Sequence, residues 1–126
     1  MPTHYQHLGG SEVMRRLVDR IYDHMDVDPD HYGVRKLHPA DLSESRNKLC
    51  WFLCGWTGGP PEYTDRFGHP FLRRRHMPFA IGEAERDRWM TCMMRAMQDT
   101  GVEESLQHEL TAAFLKTADF MRNQPA

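Results

Sequence analysis

Leu72-Arg73-Arg74-Arg75-His76-Met77-Pro78-Phe79 is the stretch on which the reading of this chain turns. Phe71 to His76 fits a short helix, which Pro78 keeps from running on unchanged. A Gly58-Gly59-Pro60-Pro61 turn precedes it, and Trp89 follows on the next helical segment. A neutral imidazole between a proline stop and apolar residues is placed to bind something. The arginines beside it favour an object that carries negative charge. Taken alone, such a histidine is more often a surface or satisfied core residue than a ligand, and such arginines more often form a solvated face.

Working outward, apolar periodicity marks four long helices. Leu8-Gly9-Gly10 breaks the chain, and Ser11 is the expected N-cap of the first. Val13, Leu17, Val18, Ile21, Tyr22 and Met25 share one face of it, and Asp28-Pro29-Asp30 ends it. Residues 30 to 40 read as tight turns. Asp41 is the expected cap of the second helix, with Glu44 completing a capping box. Its stripe is Leu49, Phe52, Leu53 and Trp56. Residues 60 to 70 read as a loop. The third helix runs from near Gly82 to Thr100, with Trp89, Met93, Ala96 and Met97 inward and Gly101 as its C-terminal cap. The fourth runs from about Val102 to Arg122, with Leu106, Leu110, Ala113, Phe114, Thr117 and Met121 as its stripe. No strand, repeat or low-complexity tract is evident. The expectation is an all-α fold, and one domain over residues 1–126.

The chain is 40% hydrophobic and 27% charged, as in a soluble globular protein. Its net charge of −2 argues against nucleic acid and anionic membranes as partners. No apolar run approaches the roughly 20 residues that span a bilayer. The N-terminal residues lack the basic start and apolar stretch of a signal peptide. Three cysteines without framework spacing fit a reducing, cytoplasmic setting. Cys50, Cys54 and Cys92 read as small apolar core residues. Nine methionines suit either the irregular walls of a bulky ligand's pocket or ordinary core filling.

A structural zinc site needs about four closely spaced ligands, and no Cys-x2-Cys or His-Glu-x2-His is present. A haem needs only one axial histidine, because the porphyrin supplies four nitrogens. His76 suits that role, and guanidinium or ammonium groups at Arg75 and Lys48 suit its propionates. Tyr22 and Trp89 on helix faces need partners for their polar atoms when buried, although core filling accounts for either one equally well.

These pieces together resemble the truncated, two-over-two haemoglobins, specifically their second group. The matching segments are Leu8-Gly9-Gly10, Gly58-Gly59-Pro60-Pro61-x-Tyr63, Gly68-His69-Pro70, Leu72-Arg73-x-Arg75-His76-x-Pro78-Phe79 and Glu85-Arg86-Asp87-x-Trp89. They keep the family's order and cover nearly the whole chain. The resemblance implies a two-over-two helical sandwich around haem b (iron protoporphyrin IX). It implies His76 as the proximal iron ligand and Tyr22 and Trp89 as distal residues. His38 falls at the distal corner, where relatives carry tyrosine, phenylalanine or histidine. Ser45 falls where ordinary globins carry histidine, and Leu49 packs over the ligand. Tyr63 and Phe79 belong to the matched segments that wall the cofactor.

The function so implied is binding of oxygen, carbon monoxide, nitric oxide or similar small ligands at ferrous iron. Tyr22, Trp89 and His38 count as up to three donors, each about 1.5–3 kcal/mol when the acceptor carries charge. Slow oxygen release is therefore expected, which suits oxygen transport poorly. Competing readings are a haem enzyme with peroxidase-like or nitric oxide dioxygenase activity, and a haem-free helical binding module. An external reductase and a monomer or weak homodimer complete the expectations.

Overall fold

The computed structural model describes residues 3–124. Eight helices follow in order: α1 (His4–Leu8), α2 (Gly10–Val27), α3 (Tyr32–Arg35), α4 (Ser43–Trp56), α5 (Glu62–Phe67), α6 (Leu72–His76), α7 (Glu83–Asp99) and α8 (Glu104–Phe120). A single 3-10 turn, Pro29–His31, links α2 to α3. The described residues contain no strand. The long helices α2, α4, α7 and α8 form two pairs, α2 with α4 and α7 with α8, joined across the α2–α7 contact. This is the expected all-α, two-over-two sandwich.

The pairing follows from the apolar faces. Leu17, Val18, Ile21 and Met25 of α2 meet Met93, Ala96 and Met97 of α7, and all are essentially inaccessible to water. Leu106 and Leu110 of α8 and Leu53 of α4 close the same core. Cys50, Cys54 and Cys92 are buried and unbridged, so they act as the small apolar residues expected of them. Met14, Met25, Met90, Met93 and Met97 belong to this core, and only Met121 reaches the cavity described below. For most of the methionines, ordinary core filling is thus the correct reading.

Polar clamps hold the helix pairs in register. Arg46 of α4 donates to the Asp19 carbonyl at 3.0 Å and to Asp23 Oδ1 at 2.9 Å on α2. Arg20 Nη2 of α2 reaches Asp99 of α7 at 3.0 Å, and His24 Nε2 pairs with the same carboxylate at 2.5 Å.

Three local expectations are corrected, and one short helix was not foreseen. A helix, α1, precedes α2; Thr3 Oγ1 accepts from Gln6 N at 3.2 Å, and Gln6 Oε1 accepts from Thr3 N at 3.0 Å. That capping box was present in the sequence, but the helix is too short to show periodicity. The cap of α2 is Gly9, not Ser11, because a φ of 114° lets Gly9 end α1 and begin α2 at once. The capping box at Asp41 does not form. The N-cap is Leu42, and Asp41 instead accepts from Ser43 N at 2.9 Å, closing a tight turn. The stretch 60–70 is not all loop, since α5 starts directly after Pro61, where the ring's missing N–H costs nothing. Buried Tyr63 anchors it.

The Gly58-Gly59 turn joins α1 to the end of α4. Tyr5 N donates to Thr57 O at 2.9 Å, and the Tyr5 ring lies where a Cβ on Gly59 would stand, 2.6 Å away. Gly59→Ala should therefore push Tyr5 off this seat and lower unfolding stability by about 1–3 kcal/mol. Urea unfolding checks it, and an unchanged midpoint would show that the approach is not tight.

Candidate functional site

A cavity of about 370 Å³ opens between the two helix pairs and the short helix α6. That size falls within the roughly 300–1,000 Å³ typical of cofactor and ligand pockets. All nine residues singled out for the site line it: Tyr22, His38, Lys48, Leu49, Tyr63, Arg75, His76, Phe79 and Trp89. Ser45 lines it too. Much of the wall is apolar, including Phe52, Leu53, Trp56, Leu72 and Phe114. The stripe of α4 thus faces the cavity, which is why Leu49 and Phe52 are only partly buried by protein.

His76 sits at the end of α6. Its Nδ1 lies 2.6 Å from the Leu72 carbonyl. A carbonyl oxygen only accepts, so Nδ1 carries the proton and donates. In the neutral ring the lone pair is then on Nε2, the form a metal ligand requires.

α6 makes little contact with the other helices, so something else must hold it. The chain after α8 does so. Asn123 Nδ2 donates to His76 O at 3.3 Å and to Phe79 O at 2.7 Å, while its Oδ1 accepts from Ile81 N at 3.0 Å. Arg73 Nη1 donates to Phe120 O at 2.6 Å and Arg122 O at 3.0 Å. Sequence reasoning missed Asn123 and the role of Arg73, because both act on backbone carbonyls far away in the chain. No local pattern marks such a pair.

Tyr22 of α2 is 5% exposed, yet its hydroxyl has no hydrogen-bond partner among the described residues. The indole N–H of Trp89 on α7 likewise makes no hydrogen bond among the described residues, and both residues line the open cavity. Burial pushes the Tyr22 phenol up to about 12, with the nearby Arg46 guanidinium opposing slightly. The phenol is therefore a protonated donor across the physiological range. Phe114 supports the α7 side, stacked at 4.8 Å on Trp56 and edge-on to Trp89 at 6.3 Å.

His38 meets the Tyr22 ring edge-on at 5.6 Å. The loop carrying it is clamped by Arg35, whose guanidinium reaches the carbonyls of His38 (3.4 Å), Pro39 (2.9 Å) and Ala40 (2.9 Å). Arg35 also pairs with Asp26 at 2.8 Å, so one side chain fixes the whole turn between α3 and α4. His38 Nδ1 donates to Val34 O at 3.0 Å. Burial, with Arg35 and His76 adding repulsion, lowers its pKa below the ordinary imidazole value. The neutral ring then offers only a lone pair at Nε2. The count of distal donors falls from three to two.

At the mouth, Arg75 has no carboxylate within 4 Å among the described residues, and Lys48 is paired with Glu44 at 2.9 Å. That pair is exposed and worth less than about 1 kcal/mol, so it can be redirected. An imidazole with a free Nε2, two orphaned donors on other walls, apolar sides and cations at the mouth fit a haem. His76 would take the iron, and Arg75 and Lys48 the propionates.

The class is set by this combination: an all-helical protein whose helix pairs enclose a largely apolar cavity lined by the His76 imidazole. Residues 3–123 match the model of the bacterial-like globin family. The chain is 38% identical over 115 residues to the group 2 truncated hemoglobin YjbI of Bacillus subtilis, covering 91% of this chain and 85% of that one. It superposes on the group II 2-on-2 hemoglobin of Agrobacterium tumefaciens with a TM-score of 0.96 and 42% identity, covering 99% and 97% of the two chains. A cold-adapted truncated hemoglobin from Pseudoalteromonas haloplanktis gives 0.95 and 36%, covering 98% and 100%. The chain belongs to the bacterial-like globins and, within them, to the group II truncated haemoglobins. Globins are haem proteins that bind oxygen and other diatomic gases, and this chain is one of them by fold and family.

The raised Tyr22 pKa has a consequence for stability. An acid whose pKa is higher folded than unfolded stabilises the fold below its unfolded pKa and loses that contribution as pH rises. The window lies between about 10 and 12, and a shift of that size is worth on the order of 1–3 kcal/mol. Denaturant unfolding should therefore weaken over that window, and Tyr22→Phe should remove this component. An identical alkaline slope in the variant would mean that the hydroxyl is not buried as seen.

Proposed function

We propose that this protein carries haem b, with His76 to hold its iron, and that it retains oxygen tightly through the polar groups Tyr22 and Trp89 in the same cavity. The observation that carries the proposal is the pair of orphaned donors, the Tyr22 hydroxyl and the Trp89 indole N–H, in the same cavity as the free Nε2 of His76. A haem supplies an iron at which diatomic gases bind. The chain supplies the rest. Leu72 O orients the His76 ring. Asn123 and Arg73 hold its helix in place. Arg75 and Lys48 meet the propionates, and Leu49 and Phe52 keep the cavity apolar. Tyr22 and Trp89 donate to the gas ligand, while His38 presents a lone pair and supports the pocket's shape.

Two donors to a ligand bearing partial negative charge are worth about 1.5–3 kcal/mol each, so oxygen release is slow. A relative of known structure, 36% identical, is described as the oxygen-avid haemoglobin of Bacillus subtilis. Retention of this kind argues against delivery of oxygen and for reaction with it or sensing of it. The haem-free reading leaves a large apolar cavity and a free imidazole nitrogen without purpose.

Tyr22→Phe should speed oxygen dissociation by about 10- to 100-fold, since each 1.4 kcal/mol is a factor of ten. Trp89→Phe should act in the same direction. Stopped-flow displacement of oxygen by carbon monoxide reads both, and unchanged rates would remove the donors from the mechanism. His76→Gly should lose haem during purification or lose the five-coordinate ferrous spectrum. A variant that keeps both would overturn the proximal assignment.

A further inference from the structure

The arginines beside the cavity are not used up by the site. None of the chain's 18 acidic residues falls between positions 66 and 82, a stretch that holds Arg66, Arg73, Arg74 and Arg75. None of these four has a carboxylate within 4 Å among the described residues, although ion pairs are frequent elsewhere on the surface. Arg75 faces the cavity. The other three face outward.

Their guanidinium groups are laid on aromatic rings. Arg66 lies 4.1 Å from the centre of the Trp51 ring, Arg74 4.6 Å from Phe71, and Arg73 5.5 Å from Phe120. Stacking of this kind holds a cation in one place; Arg66 Nη1 donates to Glu62 O and Arg73 Nη1 to the Phe120 and Arg122 carbonyls, and the remaining N–H groups are available to carboxylates. Apolar side chains of the same stretch of chain are also exposed: Phe67 at 42%, Phe71 at 43% and Met77 at 53%. Phe71 adopts φ 45°, ψ 50°, the one non-glycine residue with positive φ among those described. A bulky residue held there costs free energy, and such strain collects at functional surfaces. Exposed aromatics mixed with arginines are the composition of interface hot spots.

We propose that Arg66, Phe67, Phe71, Arg73, Arg74 and Met77 form the docking surface for a small acidic protein that donates single electrons. The inference rests on the haem reading above. Oxygen binding requires ferrous iron, and Cys50, Cys54 and Cys92 are buried thiols with raised pKa, unsuited to pass electrons. The electron therefore comes from another molecule. The patch flanks α6 and the cavity wall, so a partner seated there lies close to the cofactor. Its charge is complementary to an acidic rim, and its apolar residues suit a protein face. A long polyanion such as nucleic acid or a charged bilayer would meet the rest of a chain with net charge −2. The transfer moves one electron from the donor to ferric iron, with no bond made or broken and no proton required.

The test uses ferric haem-loaded protein, a reduced plant-type [2Fe–2S] ferredoxin as the donor, and carbon monoxide to trap the ferrous product. Stopped-flow rates are measured at low and high salt. The wild type should react fast at low salt and slow steeply as salt rises. Arg66→Glu/Arg74→Glu should lose on the order of tenfold at low salt and most of the salt dependence. Arg66→Gln/Arg74→Gln should shift the same way by less. Arg16→Glu/Lys116→Glu makes the same net charge change elsewhere and should match the wild type. Equal losses in the two Glu pairs would reduce the effect to global charge and overturn the docking surface. Equal rates in all proteins would do the same. So would a wild type that ignores ferredoxin but sediments with phosphatidylglycerol vesicles. Dithionite should give every variant the same ferrous carbonyl spectrum. If the wild type shows no haem spectrum at all, the haem reading fails rather than the docking surface.

Discussion

A small chain that keeps an apolar cavity open works against its own folding. The cavity of about 370 Å³ between the helix pairs is walled largely by Leu49, Phe52, Leu53 and Phe114. Walls of this kind suit a large, mostly apolar occupant. The rest of the structure is the frame that gives the cavity its shape.

The frame works by dividing labour. The α2–α7 contact carries the hydrophobic core, packed without regard to the cavity. The cavity's outer wall is held by polar bonds to backbone carbonyls instead. Arg35 holds the turn of His38, Asn123 holds the loop after His76, and Arg73 ties α6 to the end of α8. Directional bonds of this kind fix distance without needing to fill space. They suit a wall that must stand beside a gap.

The same bonds set the chemistry. Leu72 O and Val34 O each take the Nδ1 proton of a histidine, so His76 and His38 both turn Nε2 lone pairs outward. At His76 this leaves the ring nitrogen that could hold a metal. At His38 it makes the ring an acceptor, so that Tyr22 and Trp89 are the donors among the three. The family pattern suggested up to three donors, and only the carbonyl positions set His38 apart from Tyr22 and Trp89.

Much of this protein was legible in its residues. The four long helices and their inward faces follow from apolar periodicity; cavity residues such as His38, Tyr63 and Phe79 follow from the family resemblance carried by motifs such as Arg75-His76-x-Pro78-Phe79. Short helices such as α1 and α5 escaped because five or six residues carry no periodic signal. The capping box at Asp41 was legible and yet did not form, because a nearby turn took the same carboxylate. What only the tertiary structure decided are the contacts between distant segments: Asn123 on the His76 loop, Arg46 on Asp19 and Asp23, and the ring tautomers. Helix faces are set by neighbours three and four residues away, which a sequence displays directly. A hydrogen bond across 47 positions exists only once the chain has folded and brought its partners together.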